Sequence, residues 1–469
     1  MIAAPPTTQA PKIRQRERDA TLQALRAGVT PGSGIRHVQV GRAREVAEVI
    51  KDVERIADGG AAARFIIGDY GSGKTFFLGL ARAIAAEKGM VVMKADLSPE
   101  RRLHAARGKG VARLLCADLV ASMATRTKPD GGALAAVIER FLTLARKEAL
   151  ADGKPASDVI RAKLESVLEG VAGFDFATVI TRYDEALEQG DEALKTACLR
   201  WLRAEYPLRS EARQELGVRS IVDDDTVYDH LKAMARLVRL AGYAGTVIML
   251  DEMVNLHQII HSQARKSNYE QLLRIINDTL QGNAPHLGFY FGGTPEFLLD
   301  PRRGLYSYEA LRSRLAENNF ARDGLVDLSG PVMHLPSLTP AELHVLLERL
   351  RLLWACGDET KLPLPDEALE AFLQHCSERV GEAYFRTPRN TVTSFLNLLA
   401  VLEQNPQATW QSLLATTAFP DAGSADHHAT AKAAPPPAQT APLPQVSISQ
   451  PGNNAQPSDP DGLEHFTIF

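Results

Sequence analysis

One octapeptide narrows the folds open to this chain: Gly68-Asp69-Tyr70-Gly71-Ser72-Gly73-Lys74-Thr75 fits the pattern GxxxxGK[ST]. Its glycines let the backbone wrap tightly and turn its N–H groups toward an anion, in dihedrals that other residues adopt only at a cost. Lys74 supplies a cation for the β and γ phosphates of a nucleotide, and Thr75 a hydroxyl for Mg²⁺. Phe76 belongs to the helix-patterned run FFLGLARAIAAEKG, whose positive N-terminal end faces the same phosphates. The apolar run ARFII leads into the loop as a strand. Strand, glycine loop and helix in this order are what phosphate binding requires. Gly68 through Phe76 are therefore the expected nucleotide contacts, with ATP and Mg²⁺ as cofactors.

The rest of the chain must supply a sheet around that loop. Four short apolar runs read as buried strands: Arg64–Ile67, Met90–Ala95, Thr246–Leu250 and Leu287–Phe291. Helical patterns separate them, which predicts a parallel sheet with crossover helices. Residues 35–58 read as a short strand followed by an amphipathic helix. The gap between the second and third strands is far longer than one crossover needs, so 128–220 read as a large helical insertion. Thr339 as N-cap and Pro340 at the first helical position open a second helical region. The expected class is α/β, a P-loop NTPase parallel sheet with a helical insertion and a C-terminal helical lid. The expected boundaries are an N-terminal arm and helix (1–34), an ATPase core (35–127 and 221–335), the insertion (128–220), a lid (336–418) and a disordered tail (419–469).

A strand that ends in two acids, TVIMLDE, gives the loop its second half. Asp251 is expected to hold Mg²⁺ through water, and Glu252 to orient the attacking water. The strand Leu287–Phe291 runs into Gly292-Gly293-Thr294, so Thr294 is the candidate for positioning that water. Asp96 closes the second strand near the same place and is a candidate restraint on Glu252.

Composition excludes several classes. A net charge of −4 in 469 residues gives no overall basic coat for nucleic acid. The four cysteines are scattered, without a CxxC pair, which fits a reducing cytoplasm. No apolar run is long enough to span a membrane, and the N-terminal sequence lacks a signal-peptide pattern. Arg101, Arg102, His104, Arg107, Lys109 and Arg113 form a local basic cluster after the second strand, and Arg302 and Arg303 a smaller one. The first could meet DNA phosphates or, equally, the carboxylates of another subunit.

Taken together, these residues resemble the AAA+ ATPases. Val40-Gly41-Arg42 looks like the segment that closes over the adenine, Gly68–Thr75 like Walker A, Thr246–Glu252 like Walker B, and Thr294 like sensor 1. The resemblance implies a sensor 2 arginine at Arg389, with Arg386 as second choice. It also implies an arginine finger at Arg312 or Arg314, which reaches a neighbouring subunit in a homo-oligomer. A narrower likeness rests on GDYGSGKT, ADLSPERRLH, LDEMVNL and GGTPEFLLDPRRGLYSYEALRSRL. These look like the ATP-binding proteins of BREX-type phage-defence systems. The likeness implies a cytoplasmic ATPase that works with other defence proteins, on DNA. The alternative is a scaffold that binds ATP to assemble partners with little turnover.

Overall fold

The computed structural model describes residues 13–32, 34–105, 110–165, 171–321, 326–380 and 388–416. The expected tail, Arg107, Lys109 and Arg386 lie outside the described residues. Among those described, five parallel strands form one sheet in the order β2-β3-β4-β1-β5. They are β1 (Ala61–Ile67), β2 (Val91–Asp96), β3 (Thr246–Asp251), β4 (Leu287–Gly293) and β5 (Val332–His334).

Helices α1 (Gln15–Arg26), α2 (Ala43–Ala57) and α3 (Lys74–Glu87) lie in the chain around β1. Between β2 and β3 come α4 (Val111–Ala121), α5 (Leu134–Asp152), α6 (Ala156–Glu165), α7 (Val171–Gln189), α8 (Glu192–Leu202), α9 (Arg209–Leu216) and α10 (Val227–Leu240). Then follow α11 (Val254–His257), α12 (Ser262–Gln281), α13 (Pro295–Leu299) and α14 (Glu309–Arg314). The last four are α15 (Pro340–Trp354), α16 (Asp366–Val380), α17 (Pro388–Gln404) and α18 (Trp410–Thr416).

The strands are buried on both faces, as parallel strands under helices must be. Successive side chains point to opposite faces, so each strand feeds two cores. Ala62, Ile66, Val92, Val247 and Met249 face Val49, Val53 and Ile56 of α2 and Phe77 and Leu78 of α3. Phe65, Met93, Ile248, Phe289 and Phe291 face the other way, into one continuous apolar cluster with α4, α5, α7, α8, α10 and α12. The long stretch between β2 and β3 thus shares its core with the sheet. A third cluster joins α15, α16 and α17, and it includes Leu22 of α1 and Val38. The N-terminal helix is therefore part of the lid's packing: Arg18 Nε donates to the Trp354 carbonyl at 3.1 Å.

Two local features depart from the sequence reading. Residues Ile35–His37 form a 3₁₀ turn where a strand was expected. Ile35 is buried and Val38 joins the lid cluster, so this segment packs against helices and pairs with no strand among the described residues. The sheet also gains β5, only three residues long, which the Phe65 N–H fixes by donating to the Pro331 carbonyl at 2.7 Å. Arg64 ties the approach to β5 down as well, donating to the carbonyls of Leu328 at 2.5 Å and Gly330 at 2.7 Å. The lid opens as its sequence predicts, with Thr339 and Glu342 forming a reciprocal capping box and Pro340 in the first turn.

Candidate nucleotide site

Register brings the site together at the C-terminal edge of the sheet. The Gly68 N–H donates to the Gly293 carbonyl at 3.2 Å, so the glycine loop leaves β1 directly beside the tip of β4. Asp251 stands next in the ladder to Asp96 of β2. On its other side Gly292 is in contact: a β-carbon there would lie 2.3 Å from Asp251 Oδ1. Glycine at 292 is what lets the buried carboxylate turn inward between two strands.

The loop has the shape that an anion cradle needs. Gly71 and Gly73 take φ of +79° and +93°, in the left-handed region that glycine enters without strain. Gly73 also serves as the N-cap of α3, with no side chain capping the helix. Lys74 Nζ donates to the carbonyls of Gly68 at 2.8 Å and Asp69 at 2.9 Å. Burial lowers its pKa, and the carboxylates of Asp251, Glu252, Asp69 and Glu296 act against that shift. The Ser72 hydroxyl is buried and has no hydrogen-bond partner among the described residues.

The two halves of the site touch through Thr75 and Asp251. Thr75 Oγ1 donates to Asp251 Oδ2 at 2.8 Å, joining positions 176 residues apart in the chain. The other oxygen, Asp251 Oδ1, accepts the Glu252 N–H at 2.9 Å. Glu252 itself sits at φ +57°, a left-handed conformation uncommon outside glycine. Asn255 secures this turn, donating from Nδ2 to the carbonyls of Leu97 at 2.9 Å and Glu252 at 3.1 Å. Burial raises the Glu252 pKa, helped by the negative charges of Asp251 and Asp96. Asp96 lies 3.4 Å from Lys94 Nζ.

The remaining candidates fall at different distances from this centre. Thr294 is buried at the end of β4 and caps α13, accepting from the Phe297 N–H at 3.4 Å. Phe76 packs on the lid cluster, and Tyr70 is exposed. Arg42 Nη2 donates to the Ser72 carbonyl at 3.0 Å and to the Pro336 carbonyl at 2.6 Å. It therefore bolts the glycine loop to the start of the lid. Gly41 presses against the lid, because a β-carbon there would lie 2.3 Å from Glu342 Oε1. Arg312 is 62% exposed and lies 4.0 Å from Glu309. Arg314 is engaged, donating to Asn277 Oδ1 at 2.6 Å. Arg389 is exposed and its stem lies against Gly28. Sequence reasoning missed Gly292 as the neighbour of Asp251 and Asn255 as the brace of the turn. The doubled glycine at 292–293 was the available signal.

Two residues of the basic cluster after β2 are engaged within the protein. Arg101 pairs with Asp118, and Arg113 donates to the Ala204 carbonyl at 2.9 Å.

A glycine cradle, a buried hydroxyl with no partner among the described residues, a lysine held by loop carbonyls and a hydroxyl–carboxylate pair fit a triphosphate with a divalent cation. The family profile described as BREX system ATP-binding protein BrxC/D matches residues 13–418. The chain belongs to that family. Comparison with curated proteins gives no match. Membership makes this an ATP-binding protein of a BREX system, with other BREX proteins as its partners. No helix among the described residues is long and apolar enough to cross a membrane.

Proposed function

We propose that the chain is an AAA+ ATPase that hydrolyses ATP in the cytoplasm and, as a homo-oligomer, acts as a motor or switch on DNA within its BREX assembly. The contact between Thr75 and Asp251 carries this reading, because it brings a phosphate loop and an acid pair into one site.

In this mechanism the loop amides from Asp69 to Thr75 and the Lys74 ammonium hold the phosphates. Thr75 and Asp251 hold Mg²⁺, which when bound neutralises phosphate charge. Thr294 and Glu252 orient the attacking water. Glu252 accepts its proton as the water oxygen bonds the γ-phosphorus and the bond to the leaving diphosphate breaks. A carboxylate with a raised pKa is the stronger base for that transfer. Gly41, Arg42 and Phe76 line the nucleotide's other side, and Arg389 reports its state to the lid. Arg312 is the better finger candidate, since Arg314 is already bonded to Asn277. A finger supplied across a subunit boundary adds roughly three to five powers of ten to turnover.

Phosphate release measured with and without duplex DNA, beside a Lys74→Ala control, tests the reading. Turnover above the control that rises with DNA supports it. Turnover no higher than the control rejects hydrolysis and leaves an ATP-binding scaffold. Arg312→Ala should slow the assembled protein by about a thousandfold while nucleotide affinity holds.

A further inference from the structure

The stretch between β2 and β3 carries a concavity of about 710 Å³, lined by Arg209, Ser210, Arg213, Gln214 and Arg219. None of these takes part in the nucleotide site. At 3.6 residues per turn, Arg209 and Arg213 share one face of α9, while Glu211 and Glu215 point to the other side. Those two acids are taken up by Arg200, at 2.8 and 3.3 Å. Arg209 has a partner in Asp223 at 3.0 Å. Arg213 and Arg219 have no carboxylate partner among the described residues, and both are exposed. The N-terminal end of α9, at Arg209 and Ser210, opens on the same concavity with no side chain capping it.

An aromatic ring stands next to Arg219, at the edge of the residues that line the concavity. Phe174 of α7 is 61% exposed, and the Arg219 guanidinium lies over its ring at 5.6 Å from the centroid. A buried carboxylate fixes this arrangement. Asp175 accepts from the Arg219 N–H at 3.1 Å and from the Ser220 N–H at 2.7 Å, which pins the loop holding Arg219 onto α7. Two exposed arginines beside a largely exposed aromatic ring suit a ligand that alternates phosphates with flat rings.

We infer that this concavity is a binding site for single-stranded nucleic acid, with Arg213 and Arg219 on phosphates and Phe174 stacked on a base. The inference deepens the proposed action on DNA by naming where a strand is held. It does not depend on ATP turnover, because the residues are separate from the glycine loop.

Fluorescence anisotropy with a labelled single-stranded 20-mer, its duplex and no nucleotide present tests it. The wild-type protein should prefer the single strand. The doubly substituted R213Q/R219Q should weaken binding and flatten the dependence of log affinity on log salt by about 1.4, from roughly 0.7 per lost phosphate contact. F174A should weaken the single strand about fivefold or more. Circular dichroism and ATP affinity should be unchanged in both variants, since all three side chains are exposed. K74A should bind the oligonucleotide as the wild type does, which separates failure of this site from failure of the ATPase reading. Equal affinity for the duplex, or variants that bind as the wild type does, overturns the inference. It is also overturned if the variants lose only capture of an acidic BREX protein while oligonucleotide binding stands.

Discussion

The two faces of the sheet obey different rules. Under α2 and α3 the apolar core is interrupted by polar, directional contacts. Arg64 meets Asp52 through two hydrogen bonds of 2.8 and 2.7 Å, with the residues 3% and 1% exposed. Asp251 finds Thr75 beside it, and Gly292 leaves it room. On the opposite face, Phe65, Met93, Ile248, Phe289 and Phe291 merge into one apolar cluster with the helices between β2 and β3. A directional contact has one acceptable geometry and one acceptable partner. An apolar contact has many, provided volume is conserved. Chemistry sits on the first face, and the second is where the chain is free to elaborate.

Four substitutions test that contrast. Glu252→Gln should give the largest effect, lowering turnover by about 10²–10⁴-fold. Titration with a fluorescent nucleotide should show affinity kept; a parallel loss of binding would mean that Glu252 builds the site and does not act in it. Asp52→Ala comes next, because it strands the Arg64 guanidinium in the core. Urea unfolding should register a loss of about 3–5 kcal/mol. Pairing Asp52→Leu with Arg64→Met should restore much of it, and a single variant as stable as the wild type would break the claim that this face is intolerant. On the apolar face, Ile180→Val should cost only about 0.5–1.5 kcal/mol in the same assay.

The smallest effect concerns pH. In the proposed mechanism Glu252 works deprotonated, so turnover should fall as pH drops through its pKa. Burial and the neighbouring charges of Asp251 and Asp96 hold that pKa above the ordinary 4.5. Asp96→Asn removes one of those charges, so the acid limb of the pH–rate profile should move to lower pH. A shift in the other direction would show that Asp96 does not act on Glu252 through its charge.

The contrast also explains what could be read from the residues alone. Gly68–Thr75 and Asp251-Glu252 are legible because each position has a fixed chemical duty. The N-cap Thr339 and Pro340 after it are legible for the same reason, while the reciprocal bond from Glu342 is not read until the structure shows it. The four long strands were visible as apolar runs within a few residues of their ends. β5 was not, because three residues carry no period and its pairing depends on Arg64 and β1. The Asp52–Arg64 pair has no local signature, since it joins a helix to a strand. In the basic cluster after β2 the charge is visible in sequence, but the partners of Arg101 and Arg113, Asp118 and the Ala204 carbonyl, are not.

Glu252 occupies a backbone conformation that costs a side-chain-bearing residue roughly 1–2 kcal/mol and costs glycine almost nothing. Selection for folding alone would erode that position first, toward glycine or asparagine. Among relatives, the letter at this position is thus a wear mark: a carboxylate kept against the backbone's preference signals selection for the acid itself, and glycine the loss of that selection.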